Sequence, residues 1–392
     1  RRQPPGCSGR AGKPVRDPSA RRFGIGGQHP PCRMEPHPCP DAAVVPASCH
    51  PVLERNLRRS VELLLQLQRR GLRHLILAPG SRSAPLAVAA GLLDAAGLLE
   101  LHPCLDERSG AFLALGLARA DGRPAAVVTT SGSAVANLLP AAVEADHGTL
   151  PLLLLTADRP ARLKGCGANQ AVNQEAFLVP SCRWCGAAPA EGLDQLGSDA
   201  VRDLADQAWA AALGSPAGPV HLNLPYEEPL HAGAALVQQL QQSLRQGPVS
   251  PLTPLPPAAA AAPAASAGLD PEQTGVIIAG PWRGRSADWQ RWLEALRRWQ
   301  GLTGWPLLAD PLSCLRGDPV LEILSGYDLF LELDAVPPPA QVLRLGPLPT
   351  SRRLQRWLER FAGRQVLVTE GDPRPADPLR TVHDQYAGGL LA

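Results

Sequence analysis

The chain has 392 residues, 45% of them hydrophobic, enough to bury the cores of two or three domains. Charged residues make up 19%, the formal net charge is +2, and no apolar run reaches the length of a bilayer span. These values give no footprint for a nucleic-acid or membrane-surface binder and no transmembrane helix, so partners must be sought in local sites. The 43 Pro, the 37 Gly and the use of Arg in place of Lys nearly everywhere reflect a bias towards GC-rich codons.

Residues 1–48 are rich in Arg, Pro, Gly and Cys and lack the apolar core of a secretory signal. They read as a disordered or non-native leader, with an organelle transit peptide as the alternative. Regularity begins near Pro51. Residues 54–71 place Leu57, Val61, Leu64 and Leu67 at helical spacing, and Gly71 suits a C-cap. The run Leu75–Ala78 predicts a buried strand, Pro79-Gly80 a turn, and Ser81 to Leu93 a helix. The unit then repeats. A strand is expected over Leu99–Leu105, a helix over Glu107–Arg119, a strand over Ala125–Thr129 and a helix over Ala134–Ala145. Leu152–Thr156 reads as a strand, 200–213 as a helix and Pro219–Leu224 as a strand. Continuous apolar strands alternating with helices predict an α/β fold with a parallel sheet covered on both faces, over residues 49–235.

Residues 236–272 include a run of Pro, Ala, Ser and Thr with the composition of a linker. A second α/β domain is expected over 273–392. Its strands are predicted at Val276–Gly280, Trp305–Ala309, Leu329–Leu333, Val342–Leu345 and Gln365–Thr369, with a helix bearing three Trp over Ala287–Gln300. The nine Cys form no framework. Cys182 and Cys185 make a CxxC without a second pair at zinc spacing, and they read as ordinary reduced thiols suited to the cytoplasm.

In parallel sheets, ligands sit at the carboxyl ends of strands, where four polar loops fall. Ala78-Pro79-Gly80-Ser81-Arg82-Ser83 joins helix-terminal backbone donors to a guanidinium, which suits a carboxylate or phosphate, although Ser81 reads equally as an N-cap. Leu105-Asp106-Glu107-Arg108-Ser109-Gly110 places two acids in a first helical turn, where acids are common as dipole partners. The small residues of Thr129-Thr130-Ser131-Gly132-Ser133, followed by Ala134-Val135-Ala136-Asn137, permit close backbone approach by a ligand. This loop matches neither a P-loop nor a dinucleotide fingerprint. Leu155-Thr156-Ala157-Asp158-Arg159-Pro160 ends a strand, and Gly167-Ala168-Asn169-Gln170 follows it.

Taken in order, these loops resemble the N-terminal domain of the 2-succinyl-5-enolpyruvyl-6-hydroxy-3-cyclohexene-1-carboxylate synthases. The matching motifs are APGSRS, LDERSGAFLALGLA, TTSGSAVANLLPAAVEA, LTADRP and GANQ. Gly218–Pro225 resembles the strand that closes the pyrimidine-binding domain across thiamine-diphosphate enzymes. The match is strong over about 55–230 and weaker beyond. It implies decarboxylation of 2-oxoglutarate on thiamine diphosphate and addition of the carbanion to isochorismate, in menaquinone or phylloquinone biosynthesis. Glu107 matches the catalytic glutamate beside the cofactor's aminopyrimidine, a carboxylate expected to titrate high when buried against a neutral ring. Thr130, Ser131 and Gly132 would line the cofactor. Ser81, Arg82, Arg159 and Gln170 match substrate contacts, as do Arg352 and Arg353 in Ser351–Trp357, where the family often has Lys first; a solvated basic helix face is the alternative there.

The family holds Mg²⁺ (or Mn²⁺) and the diphosphate in a further domain marked by a GDG motif. No such motif is found here, so no metal ligand is expected in this chain. The sequence thus reads as C-terminally truncated, with weak cofactor binding and no turnover on its own. The resemblance also implies a homodimer or homotetramer with active sites spanning two subunits. Another 2-oxo-acid enzyme of the same cofactor class, or an inactive metabolite-binding remnant, are the alternatives.

Overall fold

The computed structural model describes residues 50–246, 268–331 and 338–390. The leader at 1–48 therefore lies outside the described residues. Helix α1 (Pro51–Arg70) opens with Pro at its first position and ends at Gly71, whose φ of 125° turns its N–H back onto the carbonyls of Leu67 and Gln68. The chain then alternates as the apolar runs predict, through β1 (His74–Leu77), α2 (Ala84–Ala95), β2 (Glu100–Pro103), α3 (Glu107–Asp121), β3 (Ala125–Thr129), α4 (Ser133–Ala136) and α5 (Leu139–Gly148). It continues through β4 (Leu152–Asp158), β5 (Trp184–Ala187), α6 (Ser198–Ala212) and β6 (Pro219–Pro225) to α7 (Ala234–Gln246).

Six of these strands form one parallel sheet in the order β2-β1-β3-β4-β6-β5. Strands β4 and β6 pair over seven residues, from Leu152↔Pro219 to Asp158↔Pro225, and every residue of both is buried. Side chains alternate between faces, so one sheet feeds two cores. Leu153 and Leu155 pack with Leu57, Leu64, Leu86 and Trp209 on the side of α1, α2 and α6. Ile76, Val127 and Leu154 pack with Ala111, Ala114, Val135 and Ala142 on the side of α3 and α5. Burial of each such Leu is worth roughly 1.5–3 kcal/mol.

Three expectations are corrected here. The helix expected over Ala134–Ala145 is two helices, because Pro140 at the start of α5 has no N–H to give and its ring clashes one turn back. Strand β5 was not foreseen, and Cys185 lies within it; the CxxC therefore straddles the start of an edge strand. Residues 234–246, most of which fall in the span read as linker, are helix α7, while 247–267 lie outside the described residues.

A second parallel sheet, ordered β11-β10-β9-β7-β8, is built from β7 (Gly275–Ala279), β8 (Leu307–Ala309), β9 (Gln341–Leu345), β10 (Arg364–Val368) and β11 (Asp384–Tyr386). Helices α8 (Trp289–Thr303), α9 (Tyr327–Phe330) and α10 (Arg352–Arg360) accompany it. The strand expected over Leu329–Leu333 is corrected by α9, a single helical turn after Gly326 that leaves Leu329 and Phe330 exposed; 332–333 lie outside the described residues. The two sheets meet through polar contacts. Arg374 donates to Asp146 Oδ1 at 2.8 Å and to its carbonyl at 3.0 Å, and Arg183 binds the same carboxylate. Ser215 Oγ donates to the Gly371 carbonyl at 2.8 Å.

Candidate active site

The loops that leave β1, β3 and β4 come together at the carboxyl end of the first sheet. Gly80 lies so close to Thr130 that a Cβ placed on it would stand 2.4 Å from the Thr130 Cβ. Gly132, at φ 84°, sits under Gln170, and a Cβ there would lie 3.2 Å from the Gln170 Cβ. Gln170 itself has φ 54° and its Nε2 donates to the Ser131 carbonyl at 3.2 Å. Arg159 closes the group. Its Nη1 donates to Ser131 Oγ and, at 2.9 Å, to the Gln170 carbonyl. Among the described residues its Nη2 and Nε make no hydrogen bond, which leaves an edge of the guanidinium for an anion. Burial and the nearby Arg82 both push the Arg159 guanidinium below its ordinary value.

Arg82 is placed differently from an open clamp. It is 8% exposed, and it donates to the Tyr226 carbonyl at 3.0 Å and to Glu228 Oε1 at 2.9 Å. It ties the first loop to the segment after β6 while contributing its charge. Ser81 is exposed and is not the N-cap of α2. That position belongs to Ser83, whose Oγ donates to the Gly80 carbonyl at 3.0 Å.

Glu107 is the first residue of α3. Asp106 caps the helix by accepting the Ser109 N–H at 2.7 Å, so Glu107 is not needed for that task. Glu107 Oε2 accepts from Asn137 Nδ2 at 3.0 Å, and Oε1 makes no hydrogen bond among the described residues. Asn137 reaches it because Pro140 ends the helical path near that point, between α4 and α5. The half-buried carboxylate thus belongs to the same loop system as Thr130, Ser131 and Gly132. The elements next to it carry exposed apolar side chains as well as the exposed Asp106, Arg108 and Ser109: Leu105 is 96% exposed, and Phe112, Leu113, Leu139 and Val143 are each more than a third exposed.

A buried polar layer lies beneath the loops. Gln174 accepts the Gly132 N–H at 2.9 Å and donates to Asn223 Oδ1 at 2.8 Å; Asn223 in turn donates to Asp158 Oδ2 at 2.8 Å. Asp158 Oδ1 accepts the Arg159 N–H at 2.7 Å, and Lys164 pairs with Asp158 at 2.6 Å. These side chains orient the loop residues. None of Asn137, Gln174, Asn223 or Glu228 was singled out from the sequence. Asn137 stood within the third motif, where its position just before a proline-broken helix was the available signal. Arg352 and Arg353 open α10 in the second domain, and Arg353 donates to the Asp328 carbonyl at 3.3 Å in the same domain. Neither belongs to the hydrogen-bonded group of Arg159, Ser131 and Gln170 in the first sheet's loops.

Cys182 and Cys185 are both free thiols. The Cys182 hydrogen bond and the neighbouring His221 pull the Cys185 thiol down, and the hydrogen bond to Cys185, with burial, pushes Cys182 up.

Residues 60–177 match the family described as "Thiamine pyrophosphate enzyme, N-terminal TPP binding domain". The chain is similar to the 2-succinyl-5-enolpyruvyl-6-hydroxy-3-cyclohexene-1-carboxylate synthases of Synechococcus sp. (strain CC9605), with 52% identity over 86% of this chain and 59% of that protein, and of Synechococcus sp. (strain CC9902), with 56% identity over 82% and 57%. The similar synthase of Prochlorococcus marinus (strain MIT 9303) is 53% identical over 82% of this chain and 56% of its own length. The chain thus spans less than three fifths of the length of these curated relatives. Parallel sheets covered by helices, strand-end loops that converge and this shared sequence make residues 60–177 a thiamine-pyrophosphate-enzyme N-terminal domain, in a chain similar over more than four fifths of its length to the 2-succinyl-5-enolpyruvyl-6-hydroxy-3-cyclohexene-1-carboxylate synthases.

Proposed function

We propose that the chain forms the pyrimidine-side half of an active site that joins 2-oxoglutarate to isochorismate with release of CO₂, in menaquinone or phylloquinone biosynthesis. The observation that carries this reading is Glu107, a half-buried carboxylate held through one oxygen by Asn137, with the other oxygen unbonded among the described residues and exposed apolar side chains on the same helix. That donor set fits an aminopyrimidine: the carboxylate would hold a proton at the ring nitrogen while the apolar side chains cover its faces. Thiamine diphosphate, when bound, supplies the acidic carbon and the electron sink of the decarboxylation. This chain's residues bind and orient. Arg159 offers the free edge of its guanidinium to a substrate carboxylate, Gln170 and Ser131 fix that guanidinium, and Gly80 and Gly132 allow close approach. Arg82 adds charge from beneath, and Arg352 and Arg353 are proposed as further carboxylate contacts from the second domain. Mg²⁺ or Mn²⁺ would be held elsewhere. Among the described residues the group of three metal-capable side chains, His74, Glu100 and His102, is at the opposite end of the sheet.

The test joins the chain to the remaining sequence of the Synechococcus relative and follows isochorismate consumption with 2-oxoglutarate, thiamine diphosphate and Mg²⁺. The expected result is turnover with 2-oxoglutarate and not with pyruvate. Arg159→Ala should raise KM by roughly tenfold to a hundredfold, the worth of one charge-assisted hydrogen bond. Turnover on pyruvate with isochorismate untouched would overturn the reading.

A second copy of the chain is the occupant we propose for the exposed apolar side chains Leu105, Phe112, Leu113, Leu139 and Val143, which lie on or beside α3 and α5, two helices that share one core. Light scattering should give a dimer or tetramer, and Leu113→Glu should shift it to monomer. A wild-type chain that is monomeric at tens of micromolar would remove the proposal. The free thiols of Cys104, Cys166, Cys182, Cys185 and Cys314 suit a reducing compartment, the cytoplasm in our reading. No helix among the described residues is long and apolar enough to cross a membrane.

A further inference from the structure

At the other end of the first sheet, away from the loops just described, two strands and a helix end bring four ionisable side chains together. His74 is the first residue of β1 and Glu100 the first of β2; the two are paired across the ladder, and His102 follows two residues on, so all three stand on one face. That face is the one covered by α3, whose last residue is Asp121.

The atoms converge on one point. His74 Nδ1 lies 3.2 Å from His102 Nε2 and 3.4 Å from Glu100 Oε2, and His102 Nε2 lies 3.8 Å from that same oxygen. A triangle with edges of 3.2, 3.4 and 3.8 Å has its corners about 2.0 Å from a common centre, the length of a bond from zinc to imidazole or carboxylate. We infer that His74, Glu100 and His102 form a binding site for a first-row divalent transition metal of the Zn²⁺ class, with the fourth position left to water.

The surroundings support the assignment. Ligation through Nδ1 leaves the His74 proton on Nε2, and Nε2 faces Asp121 Oδ2 at 3.2 Å. That carboxylate oxygen is buried and makes no hydrogen bond among the described residues, with Arg73 Nη1 3.9 Å away. A ligating imidazole that passes its other N–H to a carboxylate is the usual outer shell of a zinc histidine. Two imidazoles and a carboxylate suit zinc, nickel or copper better than magnesium or calcium. Glu100 is exposed and the rings are half-buried, so an ion has access from solvent. The bound ion would tie edge strand β2 to β1 and, through Asp121, to the far end of the helix that begins at Glu107, roughly 20 Å away at 1.5 Å per residue.

The test uses the full chain under reducing conditions, since its cysteines offer competing ligands. Zn²⁺ binding is measured by competition with a chromophoric chelator, and the ligand set is read from the visible spectrum after Co²⁺ substitution. Wild type should bind one equivalent more than His102→Gln and than Glu100→Ala, a change at an exposed side chain that does not threaten folding. Asp121→Asn should weaken this equivalent by about tenfold to a hundredfold. Cys182→Ser/Cys185→Ser should keep it, and its cobalt spectrum should lack thiolate charge transfer. Equal binding by wild type and Glu100→Ala, or loss of the equivalent in the cysteine variant, would overturn the assignment.

Discussion

Glu107→Gln is expected to lower turnover of the assembled enzyme by about 10²–10⁴-fold, the range for loss of a positioned general acid–base group. The fold should not change. Asp106, not Glu107, caps α3, and a glutamine has the same shape and can still accept from Asn137. What disappears is a carboxylate that can exchange a proton through Oε1. Substrate affinity should be little altered, because the guanidinium of Arg159 is held by Ser131 and Gln170, independently of Glu107. Asn137→Ala should act in the same direction but less, as a positioning change. Its effect should split from that of Glu107→Gln in the pH profile, since the carboxylate remains. A Gln variant within threefold of wild type would sink the assignment of Glu107.

The largest expected effect on stability lies in the second domain. Arg344 in β9 is 1% exposed, and its bond to Asp377 Oδ1 at 2.8 Å is opposed by a buried Nε and Nη2 with no hydrogen-bond partner among the described residues. Asp377 also accepts the N–H groups of Thr381 at 2.6 Å and Val382 at 2.9 Å, so it pins the turn at 377–382 to the sheet. Asp377→Ala should cost about 3–5 kcal/mol, the cost of leaving a buried charge alone. Adding Arg344→Met should return much of that loss, because a well-packed apolar pair avoids the desolvation. Urea unfolding of the three chains measures it, and a single variant as stable as wild type would remove the argument. Burial pushes the Asp377 carboxyl up, but the Arg344 guanidinium and the backbone N–H groups outweigh it and hold it below its ordinary value. Its folded-state value is therefore the lower one. The pair's contribution is complete above the ordinary Asp value of about 3.9 and is lost as pH falls through the folded-state value. Between pH 5 and 8, Asp377→Ala should thus cost the same.

The sequence declares every inner strand and two of the four edge strands, β2 and β8. Strands β3 and β4 are continuous apolar runs because both faces of a central parallel strand are covered. Strands β5 and β11, four and three residues long at sheet edges, carry no such run and went unseen. Leu329–Leu333 opens with an apolar run like a strand's, yet Leu329 and Phe330 are exposed on a helical turn, so an apolar run did not mean burial. At the candidate site, Glu107, Arg159 and Gln170 drew attention because their motifs follow one another at strand ends, and the structure brings Arg159 and Gln170 into contact. Gln174, Asn223 and Asp158 were not, since their roles exist only once β4 and β6 have paired and brought distant polar side chains into contact. The metal-ligand trio was hidden for the same reason. His74 and Glu100 are separated by a helix and a turn in the sequence and become neighbours through strand register alone.

The contact between Gly80 and Thr130 limits how this site can vary. A Cβ on Gly80 would overlap the Cβ of Thr130 itself, so trimming the threonine to serine or alanine would give no relief. Positions 80 and 130 can hold one β-carbon between them. Substitutions at these two places are therefore bound to each other: a side chain could enter at 80 only if glycine stood at 130, and any library that varies one while fixing the other samples no acceptable solution beyond glycine at position 80.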